Sequence, residues 1–455
     1  MPAPRAVPAP PVPRVAPMRR SLAPQPWENW ARTVACEPAH RAYPVTLEEV
    51  QAEVLRCAEE GERLRVIGRG HSFTPLCHSD ENQMSLDRFT GIDGVDMAQR
   101  RVWVRAGTRL HRLGEMLADR GLALDLFSDS KQQTLAGAIS TGTHGTGRAV
   151  GSLSTLVTGL RMVLADGSVR TFTADDGEVF DAVRLSLGAL GVITHVELAC
   201  RDSYRLEVRR QRTVLDTVLA QLDDLRREHR HLSLYWYPFT RHVQLITRNE
   251  TTAPATRVPT QRFVQDVLTD NVMGWGLSRM TRSVPAMAER SSRLATRGLR
   301  DHHWVAEAHN AFAAPRWVRY VESEYAVPVA NLGLVLRQMQ RLIEALQFRV
   351  HLPVTIRFAP ADPLWLSPAH GRDVAYIAIH MAHGMPYADY FAAMGDLFDR
   401  HGGRPHWGKL HDKTARELRK LYPRFNDFLA LRQQLDPRGV LLNRYLSGLL
   451  DVRER

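Results

Sequence analysis

A chain of 455 residues, 44% hydrophobic and 24% charged, carries enough apolar material for two or three domains with their own cores. Its formal net charge of +11 comes from scattered arginines, without lysine-rich runs interleaved with aromatics; this disfavours a nucleic-acid-binding module and leaves a solvated basic surface suited to an anionic cofactor. No apolar run approaches the ~18 residues that cross a bilayer, and Cys36, Cys57, Cys77 and Cys200 form no C-x-x-C pair, which argues against a zinc site or disulfide framework and fits a reducing, cytoplasmic location.

The first 17 residues hold seven prolines, so residues 1–26 are expected to be disordered. No apolar stretch follows Arg19-Arg20, so a secretory signal is not expected, and Met18 is a second candidate for the translation start. Thr46-Leu47-Glu48-Glu49 reads as a capping box opening a helix whose stripe is Val50, Val54 and Ala58, closed by Gly61. Leu64 to Ile67 is a short buried strand running into Gly68-Arg69-Gly70-His71-Ser72. Arg101 to Ala106 alternates as a strand, and Leu110, Leu113 and Leu117 mark a helix ending at Gly121. Gly159 to Ala165 and Ser168 to Thr173 flank Asp166-Gly167, a dipeptide favoured in tight hairpins. Gly191-Val192-Ile193 leads into a strand reaching about Leu198.

Past residue 200 the composition shifts. Val214 to Glu228 reads as one amphipathic helix and His231 to Tyr237 as an aromatic strand. Residues 250–315 read as an irregular covering segment. Arg319 to Val327 is a strand, Val329 to Leu346 a helix, and Phe348 to Phe358 and Val374 to Met381 are strands. Residues 412–446 contain helix. His302-His303 are adjacent rather than spaced for a metal, so no metal site is expected.

Two stretches stand apart. Gly68 and Gly70 permit a turn that a Cβ resists, and successive N–H groups in such a turn can cradle a phosphate. Alone, this reads first as a strand ending in a glycine turn with a satisfied His71. The second stretch, Gln132-Gln133-Thr134-Leu135-Ala136-Gly137-Ala138-Ile139-Ser140-Thr141-Gly142-Thr143-His144-Gly145-Thr146-Gly147, mixes glycine with small hydroxyl residues. It reads as neither helix nor ordinary strand, but as backbone pressed against a flat, polar ligand. Gly68-Arg69-Gly70 has no third glycine and no following helix signal, so a nicotinamide-binding Rossmann domain is disfavoured.

With Trp27-Glu28-Asn29-Trp30-Ala31, Glu322-Ser323-Glu324-Tyr325-Ala326-Val327-Pro328, His406-Trp407-Gly408-Lys409 and Asp436-Pro437-Arg438-Gly439-Val440-Leu441-Leu442-Asn443-Arg444-Tyr445-Leu446, these stretches resemble flavoproteins of the vanillyl-alcohol-oxidase type. Within them the likeness is to the aldonolactone oxidases and alditol oxidases. The resemblance implies an α+β architecture: a two-subdomain FAD-binding domain over 27–200 and a substrate domain over 201–411, with an antiparallel sheet flanked by helices. Residues 412–455 return to the FAD domain.

The resemblance also implies roles. His71 joins covalently to FAD; Ser72 and the amides of Gly68, Arg69 and Gly70 hold the pyrophosphate. Thr134, Gly137, Ser140, Thr141, Gly142, Thr143, His144 and Gly145 line the cofactor. Gly191, Val192 and Ile193 meet its adenine end, and Asn443 of the closing motif belongs to the same set. Arg357, His380 and Lys409 stabilise charge as a hydride leaves an alcohol carbon for the flavin. The substrate is a sugar lactone or polyol, and the acceptor is O2, giving H2O2, or another oxidant in a dehydrogenase. Two positions depart from the pattern: Thr355 stands two residues before Arg357, where these oxidases carry glutamate, and Ala382 stands two after His380, where the alditol oxidases carry a hydroxyl residue.

Overall fold

The computed structural model describes residues 26–128, 131–256, 274–312 and 318–452. The expected proline-rich segment, and Met18 within it, lie outside the described residues.

The N-terminal part is built on two small sheets. In the first, β1 (His40–Ala42), β2 (Leu64–Ile67) and β3 (Asn82–Ser85) run parallel in the order β1-β3-β2. Helix α1 (Leu47–Glu60) carries the expected capping box: Thr46 accepts from the Glu49 amide, and Glu49 reaches back. Its stripe of Val50, Val54, Cys57 and Ala58 is buried, which contributes about 1–3 kcal/mol per large side chain. The second sheet is antiparallel, made of β4 (Ile92–Asp96), β5 (Arg101–Arg105), β6 (Val157–Val163), β7 (Val169–Thr173) and β8 (Val192–Ala199) in the order β7-β6-β8-β5-β4. Between the strands lie α2 (Leu110–Ala118) and α3 (Leu135–Ser140). The expectation that the stretch after Gln133 is not helical is corrected by α3. Thr134 caps the Gly137 amide, and the small, apolar residues that follow tolerate one and a half turns.

The C-terminal part is an eight-stranded antiparallel sheet in the order β12-β9-β11-β10-β14-β15-β13-β16. Its strands are β9 (Arg205–Val214), β10 (His231–Trp236), β11 (His242–Thr251), β12 (His302–Glu307), β13 (Tyr320–Pro328), β14 (Val354–Ala359), β15 (Val374–Ala382) and β16 (Arg404–Pro405). One face carries Leu232, Leu234, Trp236, Val321, Tyr325, Val354, Ile356, Ile377 and Ile379. It packs against α4 (Leu215–Ala220), α5 (Leu222–Glu228), α8 (Leu332–Ala345) and α9 (Ala388–Arg400). The opposite face follows from the two-residue alternation of a strand. It aligns Ser233 with Arg357 and Tyr376, Thr355 with Ala378 and Glu324, and Glu322 with His380.

Three expectations are corrected here. The helix expected over 214–228 is two, broken at Gln221, and it follows a strand, β9, whose run of arginines disguises its alternation. The segment expected to be irregular over 250–315 holds α6 (Gly274–Ser283), α7 (Ala288–Arg297) and β12. The strand expected from Phe348 starts at Val354, after Pro353, which lacks the N–H a ladder needs. The closing helices α10 (Ala415–Leu421), α11 (Phe425–Leu435) and α12 (Arg444–Leu450) contribute Tyr422, Phe425, Phe428 and Leu446 to the same apolar core as α1 and β5. No helix among the described residues is long and apolar enough to cross a membrane.

Candidate active site

Strand β2 delivers the chain into the Gly68–Ser72 turn, and α3 begins directly opposite. A Cβ on Gly68 would stand 2.6 Å from Thr134 Oγ1, so only glycine lets the two segments approach. Gly70 has φ +65°, and a Cβ there would meet Trp27 and the Asn29 backbone at 3.0–3.2 Å. The two segments and the Leu187–Ile193 stretch line an open cleft. It is lined by Gly68, Arg69, Gly70, His71, Ser72, Thr134, Gly137, Ser140, Thr141, Gly191, Val192 and Ile193. Arg65, which the sequence gave no reason to single out, holds the floor together. Its buried guanidinium donates to the carbonyls of Leu76, Leu187, Gly188 and Leu441, and burial lowers its pKa to about 10.

The remaining residues expected at the cofactor are not among those lining this cleft. Gly142 packs on Leu185, and Gly145 on Leu126 and the Phe127 carbonyl. Thr143 accepts a hydrogen bond from Gln133 Nε2 at 3.0 Å. His144 is buried in the sheet-side wall, stacked on Tyr376 with ring centroids 3.6 Å apart, and its Nε2 lies 3.3 Å from Glu324 Oε1. Asn443 caps α12 and donates to the carbonyls of Pro75, Leu76 and His78.

At the His71 end of the cleft the sheet's polar face closes the site. Phe73 N–H donates to the Gly408 carbonyl at 2.8 Å, which clips the turn after His71 to the loop carrying Lys409. Lys409 Nζ lies 5.0 Å over the Phe73 ring and donates to Glu322 Oε2. Glu322 Oε1 is 3.5 Å from His380 Nε2. Aromatic contacts complete the wall: Trp30 lies 5.9 Å from His71 and 5.3 Å from Tyr320, and Tyr320 lies 5.0 Å from His380. Lys409 and His380 are therefore brought together, through a carboxylate that the sequence analysis did not single out. Arg357 stands on the same face of β14, paired across the strands with Ser233 and Tyr376. Thr355 is buried between Tyr235 and Ala378.

Burial, then the positive charges of Lys409 and Arg69, depress the His71 pKa to about 4, so the imidazole is neutral and its lone pair is available near pH 7. Burial alone would depress Lys409 as well, but the Glu322 and Glu324 carboxylates hold its pKa above the usual 10.5. Burial would raise Glu322, yet Lys409 and His380 keep it well below the usual carboxylate range. The site thus presents a fixed ammonium, a buried carboxylate and a neutral imidazole at one end of a backbone-walled cleft.

The sequence pattern of the D-arabinono-1,4-lactone oxidase family matches residues 196–449, and that of an FAD-binding domain matches residues 38–173. The chain is 34% identical over 427 residues to the L-gulono-1,4-lactone dehydrogenase of Mycobacterium tuberculosis, covering 93% of this chain and 99% of that protein. It is 30% identical over 432 residues to the L-gulonolactone oxidase of Bos taurus, covering 92% and 97%. In fold it superposes on the crystal structure of a cholesterol oxidase from Brevibacterium sterolicum with a TM-score of 0.80 at 18% identity, covering 98% and 100%.

Proposed function

This chain belongs to the D-arabinono-1,4-lactone oxidase family of FAD-linked oxidoreductases, and from that premise we propose that it oxidises a sugar-derived alcohol, an aldono-1,4-lactone or an alditol. The observation that carries the reading is the Lys409 ammonium, fixed by Glu322 beside the His71 turn at the end of the glycine-walled cleft. Bound FAD supplies a two-electron acceptor that takes hydride from the alcohol carbon.

The cleft fits a dinucleotide. Its walls are backbone at Gly68, Gly70, Gly137 and Gly191 and small hydroxyls at Ser72, Ser140 and Thr141, a lining that approaches an extended polar ligand closely. Gly68 to Ser72 hold the phosphates, and Gly191 to Ile193 the far end. His71 is the residue for covalent attachment, since a neutral imidazole is the nucleophilic form. Lys409 and Arg357 face the negative charge that develops as the substrate's hydroxyl proton and hydride depart, where a dry site makes fixed cations effective. His380, with Nδ1 on the Pro353 carbonyl at 3.0 Å and Nε2 beside Glu322, joins them in stabilising that charge. Thr355 supplies no carboxylate base, so the substrate pocket differs from that of relatives with glutamate at this position.

Anaerobic bleaching of the flavin by a panel of aldonolactones, alditols and sugars tests the substrate class; no bleaching by any of them rejects it. Yellow colour that stays with the denatured polypeptide supports the His71 bond, and colour that leaves with the solvent rejects it. We assign O2 as acceptor, with release of H2O2. The dehydrogenase name of the mycobacterial relative favours a second reading, a different oxidant, and absence of peroxide on reoxidation selects it.

A further inference from the structure

We propose that Glu322 is the positioning residue of this site: its carboxylate holds the Lys409 ammonium at the His71 end of the cleft, with the His380 ring beside its other oxygen. The kinetic part of this proposal rests on the reaction proposed above; the structural part does not.

The geometry is two-handed. One carboxylate oxygen of Glu322 accepts from Lys409 Nζ, and the other lies 3.5 Å from His380 Nε2. The backbone makes the same connection, because Leu410 N–H donates to the Glu322 carbonyl at 3.0 Å. The loop carrying Lys409 is therefore clipped to Glu322 on both sides of the lysine's charge. The tautomer of His380 follows from its other partner. A carbonyl only accepts, so the proton facing Pro353 sits on Nδ1, and Nε2 is the atom turned to Glu322.

Glu324, two residues along the same face, does not compete for this role. It is matched by His144, whose Nδ1 lies 2.9 Å from the Gly145 carbonyl and whose Nε2 faces Glu324 at 3.3 Å. Two buried acids on one strand thus have separate partners, and Glu322 is the direct counterion of Lys409. The charged and titratable groups around the ammonium are Glu322, Glu324 and Tyr320 from β13, His380 from β15, His71 from the turn, and His406 from its own loop. Of these, Glu322 alone is hydrogen-bonded to it among the interactions described.

The consequence is electrostatic. A largely buried ammonium, its side chain 20% exposed, that loses its carboxylate keeps much of the desolvation penalty and loses the compensation. It then sheds its proton, and the site loses the cation that faces the reacting oxygen. Burial already pulls Lys409 down and the carboxylates overcome that pull, so removing Glu322 leaves burial to win.

The chain makes this measurable. It contains four lysines, Lys131, Lys409, Lys413 and Lys420. In the full-length flavin-loaded protein labelled at lysine, the ammonium resonances can be titrated individually by NMR. In Glu322→Gln the Lys409 midpoint falls by about two pH units, while Lys131 and Lys420 stay in place as internal references. Glu322→Asp, with its carboxylate drawn back by one methylene, moves it less. With an alcohol that bleaches the wild-type flavin, Glu322→Gln slows reduction about 100-fold near pH 8, its alkaline limb moves down with the Lys409 midpoint, and KM changes little by comparison. A purely structural Glu322 would lower stability without moving that limb.

A Lys409 midpoint unchanged in Glu322→Gln overturns the proposal. Should that variant not accumulate as folded protein, an unchanged midpoint in Glu322→Asp overturns it equally. If no alcohol bleaches the wild-type flavin, the substrate class falls, and the lysine titration still decides the position of Glu322.

Discussion

The two walls of the site are made of different material. The cleft wall is backbone, from β2, the start of α3 and the Leu187–Ile193 loop, and its glycines allow segments to touch where a Cβ would stand 2.6 Å from its neighbour. The sheet wall is side chains: buried Glu322, Glu324, His144, His380 and His406 and half-buried Lys409, set side by side across β13, β15 and two loops. A backbone wall gives shape and amide donors without titrating in the physiological range. A wall of buried acids, imidazoles and an ammonium gives a field that chemistry can use, but its strength depends on proton occupancy and on each partner being present.

If this division is right, Lys409→Met has the largest effect. It removes the fixed cation and slows anaerobic flavin bleaching by about 1,000-fold, with flavin still retained on the protein. Stopped-flow absorbance reads the rate, and the visible spectrum reads retention. Loss of the flavin together with the rate would mean that the two walls are not separable.

Acid should strike the sheet wall next. Burial first, with charged neighbours adding smaller contributions, puts the His231 and His406 pKa values at about 3, against about 6.5 in an unfolded chain. Between these values the unfolded state binds protons that the native state refuses, so stability falls as pH falls from about 6.5. Each refused proton contributes ~1.4 kcal/mol per pH unit, so the pair contributes roughly 3 kcal/mol per pH unit as an upper figure. Glu322 and Glu324 are held below the ordinary carboxylate range. They stabilise above about pH 4.5, and that stabilisation is lost on further acidification. Urea midpoints at pH 7 and pH 5 check the histidine effect; equal midpoints would contradict it.

The cleft wall should instead fail sterically. Gly68→Ala forces a Cβ against Thr134 Oγ1 and costs about 2 kcal/mol, within the range of overpacked sites, with a lower flavin-to-protein ratio. Adding Thr134→Ala removes the opposing oxygen and recovers part of the loss, although it also removes the cap on Gly137. Thermal unfolding of the two variants measures the recovery. No recovery would place the strain elsewhere in the turn.

The same division explains what could be read from the sequence. The cleft wall is written in short contiguous runs, Gly68 to Ser72 and Thr134 to Thr141, whose glycines and hydroxyls are informative without knowing the fold. Even there α3 was missed, because glycine and threonine argue against helix until Thr134 is seen capping it. The sheet wall is written in residues 87 positions apart, Glu322 and Lys409, and no periodicity links them. The one trace was a pair of acids alternating in an otherwise apolar strand, Glu322-Ser323-Glu324. His144 joins the two: it sits in a glycine-rich motif by sequence, and its ring reaches the sheet wall, stacked on Tyr376. Strand β9 was hidden because seven of its eight residues besides Leu206 and Val208 are polar or charged.

Asn443 gives the smallest and sharpest test, because it belongs to neither wall and supports the cleft from behind. Its side-chain oxygen accepts from the Leu446 amide and caps α12, while its amide nitrogen donates to the carbonyls of Pro75, Leu76 and His78 in the loop beyond the His71 turn. Asn443→Ala loses both functions and costs about 2 kcal/mol, the upper end for a cap combined with buried hydrogen bonds. Asn443→Asp keeps a capping oxygen but turns a donor into an acceptor facing three carbonyls. If the cap carried the effect, Asp would rescue the alanine variant. If the tie to the Pro75–His78 loop carries it, Asp is as damaging as Ala or worse, which is the outcome expected from three acceptors converging on one amide. Chemical denaturation of the two variants distinguishes these results.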